Sequence, residues 1–270
     1  MNALERKMVD VLLDLKENHH VSGVKAEFEA EGTRLEEAMR LKEVISAAGL
    51  GLTLKIGGCE AIRDMYEARV LGVARVVAPM VESPYALSKY LDAVSLCFPE
   101  DERSEVAFAV NIETAAGSAC FDEMLALPEI AKLDGVVVGR IDLSRSLGLT
   151  RMEANSAEVF EYAHAVLGKA HEQGLECAIG GGIGAEALPF LRELADRLDR
   201  YETRKVIFEC PGALDDNADK GMLKAVGFEL MWLKNKRDFY GAISAEDEVR
   251  IDMLQSRYDN LILAAGGVYE

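Results

Sequence analysis

Residues 106–139 read VAFAVNIETAAGSACFDEMLALPEIAKLDGVVVG. Two short runs rich in Val, Ile and Ala (Val106 to Glu113 and Asp134 to Gly139) flank about twenty residues of mixed character. That is the length a crossover needs to return the chain to the same edge, so the runs predict parallel strands. Outward from this unit, similar runs recur: VSGVKAEFE (Val21 to Glu29), LGLTLKI (Leu50 to Ile56), ARVVAPM (Ala74 to Met80), ECAIGG (Glu176 to Gly181) and KVIFEC (Lys205 to Cys210). Segments of helical spacing lie between them, such as Leu35, Met39, Leu41 and Ile45, or Val159, Tyr162, Ala163 and Leu167. Seven βα-like units without a linker-like change of composition predict one α/β domain, a TIM-type (β/α) barrel over 1–270.

Seven strands do not close an eight-stranded barrel, so an atypical first or eighth strand is expected. Met1 to Asn18 reads as an added helix, with Leu4, Met8, Val11, Leu12 and Leu15 on one face. Phe228 to Leu233 could supply the missing strand. Its apolar spacing fits a helix from Lys220 to Tyr240 equally well; a helix is expected there and a second from Ala245 to Ala264, so residues 220–270 are expected to be a helical extension.

The chain has 270 residues, 50% of them hydrophobic, and a net charge of −17. An acidic surface repels phosphate backbones and anionic lipid, so neither nucleic acid nor membrane is expected as a partner. No uninterrupted apolar run reaches the ~18 residues of a spanning helix. The five scattered cysteines form no C-x-x-C pair, which suggests reduced thiols in a cytoplasmic protein. G-x-S-x-G and H-E-x-x-H are both absent, removing the usual serine hydrolase and zincin readings.

Barrel chemistry collects where the strands end. Glu27 and Glu29 end the first run; Lys55 with Gly57 and Gly58 ends the second; Glu82 follows the third. Asn111 and Glu113 end the fourth, Arg140 and Asp142 follow the fifth, and Gly180 to Gly182 follow the sixth. Glu113 and Asp142, one βα unit apart, could share a Mg²⁺ or Mn²⁺ ion, or could be ordinary caps and loop carboxylates. Lys55 before Gly57 could bind an anion, form a Schiff base, or simply reach solvent.

The segment VNIETAAGSACFDEMLALPEIAKLDGVVVGRIDLSRSLG (Val110 to Gly148), with LKIGGCEAIRDMYEARVLGVARVVAPMVES upstream (Leu54 to Ser83), resembles the pyruvate/phosphoenolpyruvate-type barrels. These include the class II 2-oxo-acid aldolases and the citrate lyase beta subunit. Ile-Glu-Thr, Asp-Gly-Val-Val-Val-Gly and Asp-Leu-Ser stand in the family's order, and the resemblance covers roughly Val21 to Gly184. It implies that Glu113 and Asp142 ligate Mg²⁺ or Mn²⁺ and that Asn111 lies beside the metal. It also implies that Gly139 to Asp142 receive the oxo-acid carboxylate, and that Lys55 stands where an arginine steadies the enolate.

There are departures. Glu27-Phe28-Glu29-Ala30 lacks the family's histidine base, leaving Glu29, Glu82 or a metal-bound hydroxide in its place. Arg140 replaces a small residue and is expected to add a substrate-binding cation, with Gly57 also at the substrate. The activity implied is a metal-dependent carbon–carbon lyase, aldolase or condensing enzyme on a 2-oxo acid, in a homo-oligomer. Against it stand a Schiff-base aldolase using Lys55 and a barrel without chemistry that serves as a binding or scaffold protein.

Overall fold

The computed structural model describes residues 1–265, and the expected C-terminal extension therefore runs past them at 266–270. Eight strands form a closed barrel in chain order: β1 (Val21–Glu27), β2 (Gly51–Lys55), β3 (Arg75–Ala78), β4 (Ala107–Ile112), β5 (Gly135–Gly139), β6 (Glu176–Gly180), β7 (Arg200–Glu202) and β8 (Val206–Glu209). The seven predicted runs are all strands, each within a few residues of its expected ends. Neighbours from β1 to β7 pair parallel, as Val110 with Val136 and Val138 with Ile179.

The count of seven missed β7, and KVIFEC is the eighth strand rather than the seventh. The first strand is ordinary; the atypical one is β8, which runs antiparallel to both β7 and β1. No helix separates β7 from β8. A tight turn at residues 203–205 does, fixed by Thr203, whose N–H donates to the Val206 carbonyl at 2.9 Å and whose hydroxyl accepts from the Val206 N–H at 3.0 Å. Tyr201 and Phe208 stack across this hairpin at 4.8 Å. Phe228 to Leu233 is helix.

Apolar helix faces cover the barrel. On the first helix, Ala3–His19, the side chains of Met8, Leu12 and Leu15 are fully buried, and burial at three- and four-residue spacing is what fixes such a helix. Met39 departs from its predicted inward position; the buried face of Leu35–Ala47 is Glu37, Ala38, Leu41, Val44 and Ile45 instead. Val77, Ala109, Val137 and Ala178 form a buried apolar cluster from β3 to β6.

The strands begin on a charged cluster. Arg75, Glu176 and Arg200 open β3, β6 and β7, with Arg75 2.7 Å from Glu176 and Arg200 paired to the same carboxylate. Burial, then repulsion from Arg75, lowers the Arg200 pKa to about 10.

The chain divides into two units, Met1–Glu229 and Leu230–Glu270. One uninterrupted helix, Ala218–Ala264, replaces the two expected ones. No helix among the described residues is long and apolar enough to cross a membrane. The five cysteines are free thiols.

Candidate active site

At the C-terminal ends of the parallel strands lies a cavity of about 440 Å³, a volume suited to a small molecule. Lys55, Asn111, Glu113, Gly139, Asp142 and Glu29 all line it. The packed residues Val77 and Val137 also reach it.

Glu113, just past β4, is 2% exposed. One carboxylate oxygen accepts the Met80 N–H at 3.0 Å and the other accepts the Asn111 amide at 2.8 Å. Lys55 lies 3.6 Å from Glu113 and 3.1 Å from Glu29. Burial raises the Glu113 pKa; Lys55, Asn111 and the Met80 amide oppose the shift, and Asp142 adds to it. Glu113 needs Gly139 beside it, since a Cβ built there would stand 2.8 Å from the Glu113 Cβ. Alanine at 139 would therefore push the carboxylate out of place.

A second set of charges adjoins the first. Lys25 lies 3.1 Å from both Glu27 and Glu202. Burial opposes its charge, yet the two carboxylates hold the ammonium well above the usual lysine range. Burial also works against the Glu27 carboxylate, but Lys25 and Lys55 outweigh it and lower its pKa. Lys25 and Glu27 are two apart on one strand, which puts them on the same face; that was the sequence signal for Lys25. Glu202 carried none, because its strand was not read.

Three expected residues are not brought to the cavity. Glu82 is exposed and accepts from the Thr114 hydroxyl at 2.7 Å. Gly57 has its N–H committed to Asp64 at 2.7 Å, so it is not a free anion donor. Arg140 is fully buried. Its guanidinium donates to Asn155 Oδ1 at 2.5 Å and to the Gly181 and Gly182 carbonyls at 2.7 and 2.9 Å, and it stacks 4.8 Å from the Phe190 ring. It ties loops together rather than meeting a substrate. Sequence reasoning also missed Arg145, Arg151 and Arg204, which line the cavity from segments beyond the strand ends.

A closed α/β barrel with acid, amide and lysine side chains converging on one mouth defines a class of α/β enzyme site. Residues 55–180 match the model of the HpcH/HpaI aldolase/citrate lyase family, and the resemblance read from the sequence stands on that match. It supports an activity of lyase or aldolase type. Among solved structures, the chain is similar to an HpcH/HpaI aldolase from Desulfitobacterium hafniense DCB-2, with 16% identity, a TM-score of 0.59, and coverage of 83% of this chain and 88% of that one. It is also similar to an HpcH/HpaI aldolase/citrate lyase family protein from Burkholderia cenocepacia J2315, with 16% identity, a TM-score of 0.61 and coverage of 93% and 100%. A third is the citrate synthase SbnG, with 15% identity, a TM-score of 0.59 and coverage of 86% and 90%. At these identities the likeness concerns the fold. No curated protein sequence matches the chain.

Proposed function

We propose that the cavity binds a pyruvate-, oxaloacetate- or phosphoenolpyruvate-like 2-oxo acid and makes or breaks a carbon–carbon bond next to its carbonyl, with Mg²⁺ or Mn²⁺. The carrying observation is that Lys55, Asn111, Glu113 and Asp142 line one cavity. No group of three His, Cys, Asp or Glu side chains suited to a metal exists among the described residues. The donors at hand are two carboxylates, Glu113 and Asp142, and the Asn111 carbonyl oxygen, which is buried without a hydrogen-bond partner. An all-oxygen set completed by substrate and water suits a hard divalent cation, and such a cation would answer both the orphaned oxygen and the desolvated Glu113. Bound there, the metal would act as Lewis acid on the 2-oxo and carboxylate oxygens.

The chain's own groups supply the rest. Lys55 places positive charge where the enolate develops. Asn111 and the Met80 N–H hold Glu113 in one orientation. Glu29, next to Lys55 and lining the cavity, is the base in place of the missing histidine. The test is exchange of pyruvate methyl protons with deuterium. It is expected with Mg²⁺ or Mn²⁺ and lost with EDTA; exchange that ignores EDTA, accompanied by borohydride trapping of Lys55, would replace this reading with a Schiff base.

We infer a homo-oligomer from the second unit. Leu230 and Leu233, and five helical turns further on Ile251, Leu254, Tyr258 and Leu261 at three- and four-residue steps, are each at least half exposed, apolar stretches that can pair with their like in another copy. Sedimentation should give an oligomer that Ile251→Glu with Leu254→Glu shifts to smaller species. A monomeric wild type would remove the inference.

A further inference from the structure

We propose that Arg145 and Arg151 bind the anionic group, a carboxylate or a phosphate, of a second substrate that enters the same cavity. The proposal rests on the 2-oxo-acid reading above and names the chemistry of the other reactant.

The cavity is lined by five cations: Lys25, Lys55, Arg145, Arg151 and Arg204. Three of them already have carboxylates. Lys25 is held by Glu27 and Glu202, Lys55 by Glu29 and Glu113, and Arg204 by Glu31 at 3.2 Å. The Arg145 and Arg151 side chains make no hydrogen bond or ion pair among the described residues. The acidic residue nearest to Arg151 in sequence, Glu153, is committed elsewhere: it accepts the Thr150 N–H and hydroxyl, both at 2.8 Å. In a chain of net charge −17, two uncommitted guanidinium groups at one cavity stand out against the surrounding field. The guanidinium fork matches carboxylate and phosphate oxygens.

The surrounding wall leaves room for such a ligand. Gly180, Gly181 and Gly182 present backbone rather than side chains to the cavity, and Gly181 has φ of +80° and Gly182 of +64°. A Cβ on Gly181 would stand 2.9 Å from the Ile141 nitrogen. A pyruvate-sized acid leaves much of the space unfilled.

The two arginines sit on anchored segments. Arg145 lies on the helix Arg140–Ser146 and Arg151 on the 3₁₀ turn Arg151–Glu153. Arg140 opens that helix and bonds both to Asn155, just after the turn, and to the Gly181 and Gly182 carbonyls. Arg140 is thus a positioning residue for this wall, acting through its neighbours.

Three measurements on the full chain test the proposal. Calorimetry of the metal-free protein with inorganic phosphate and with malonate reads the anion site directly. The Arg145→Ala/Arg151→Ala variant should weaken binding of the preferred anion at least tenfold, and Arg→Lys at both positions should restore part of it. Steady-state condensation with pyruvate then compares glyceraldehyde 3-phosphate with glyceraldehyde, and glyoxylate with glycolaldehyde. The double Ala variant should lower the ratio of kcat/KM for the anionic over the neutral partner by tenfold or more. Which pair responds separates phosphate from carboxylate.

Anion binding equal in wild type and the double variant, or absent from both, overturns the proposal. Pyruvate proton exchange in the wild type reports separately on the 2-oxo-acid reading. Exchange with unchanged anion binding leaves that reading standing without the arginine site; anion binding lost in the variant with no wild-type exchange does the reverse. Both arginines are exposed, so the variants should fold, which circular dichroism checks.

Discussion

Glu113→Gln should lower Mg²⁺- or Mn²⁺-dependent exchange of pyruvate methyl protons by about a hundred- to a thousandfold, corresponding to the several kcal/mol that Lewis-acid stabilisation contributes to such a step. The substitution keeps the side chain's volume and removes its charge, and Mn²⁺ affinity measured by calorimetry should fall with the rate. The stability of the variant distinguishes loss of chemistry from loss of fold. Burial raises the Glu113 pKa, so folding disfavours its ionised form. That penalty is absent in acid, where the group is protonated in both states, and grows as pH rises through the unfolded and then the folded pKa. At neutral pH the glutamine variant should therefore melt no lower than the wild type, while Lys55 keeps Glu29 as its partner. Exchange rates equal to the wild type's would defeat the metal-site reading.

The second large effect lies at the other end of the barrel. Glu176→Ala removes the carboxylate that Arg75 and Arg200 share, leaving two nearly buried guanidinium groups close together. Removing one partner of a buried ion pair costs more than the pair contributes, because the remaining charge stays desolvated. Glu176 is about a third exposed, with a side-chain accessibility of 32%, so the loss should be about 2–3 kcal/mol, below the ~3–5 kcal/mol of a fully buried pair. Urea denaturation should register it as a lower midpoint with an unchanged slope. A midpoint within error of the wild type would mean that water screens the cluster.

The strands readable from the sequence were those of four residues or more. β7 has three residues, Arg-Tyr-Glu, two of them charged; its place is set by pairing with β6 and β8, which no local pattern encodes. The helix Ala218–Ala264 runs without a break through residues 241–244, which lay between the two expected helices. At the cavity, position after a strand located Lys55, Asn111, Glu113 and Asp142 among the lining residues. It failed for Arg140, Gly57 and Glu82, because the sequence locates a Cα and not the partners that claim its polar groups. Arg140 was claimed by two glycine carbonyls, Gly57 by Asp64 and Glu82 by Thr114.

The reversed eighth strand has a consequence for how the cavity can change. The sectors of the rim after β1 to β6 lead from their strands into helical or longer segments. The sector at residues 203–205 is a pinned hairpin turn, and added residues there would unthread Thr203 from Val206 and slip the pairing of Glu202 with Ile207. This stretch is a fixed post, with Arg204 mounted on it, and drift toward new substrates has to work through the segments that follow the earlier strands.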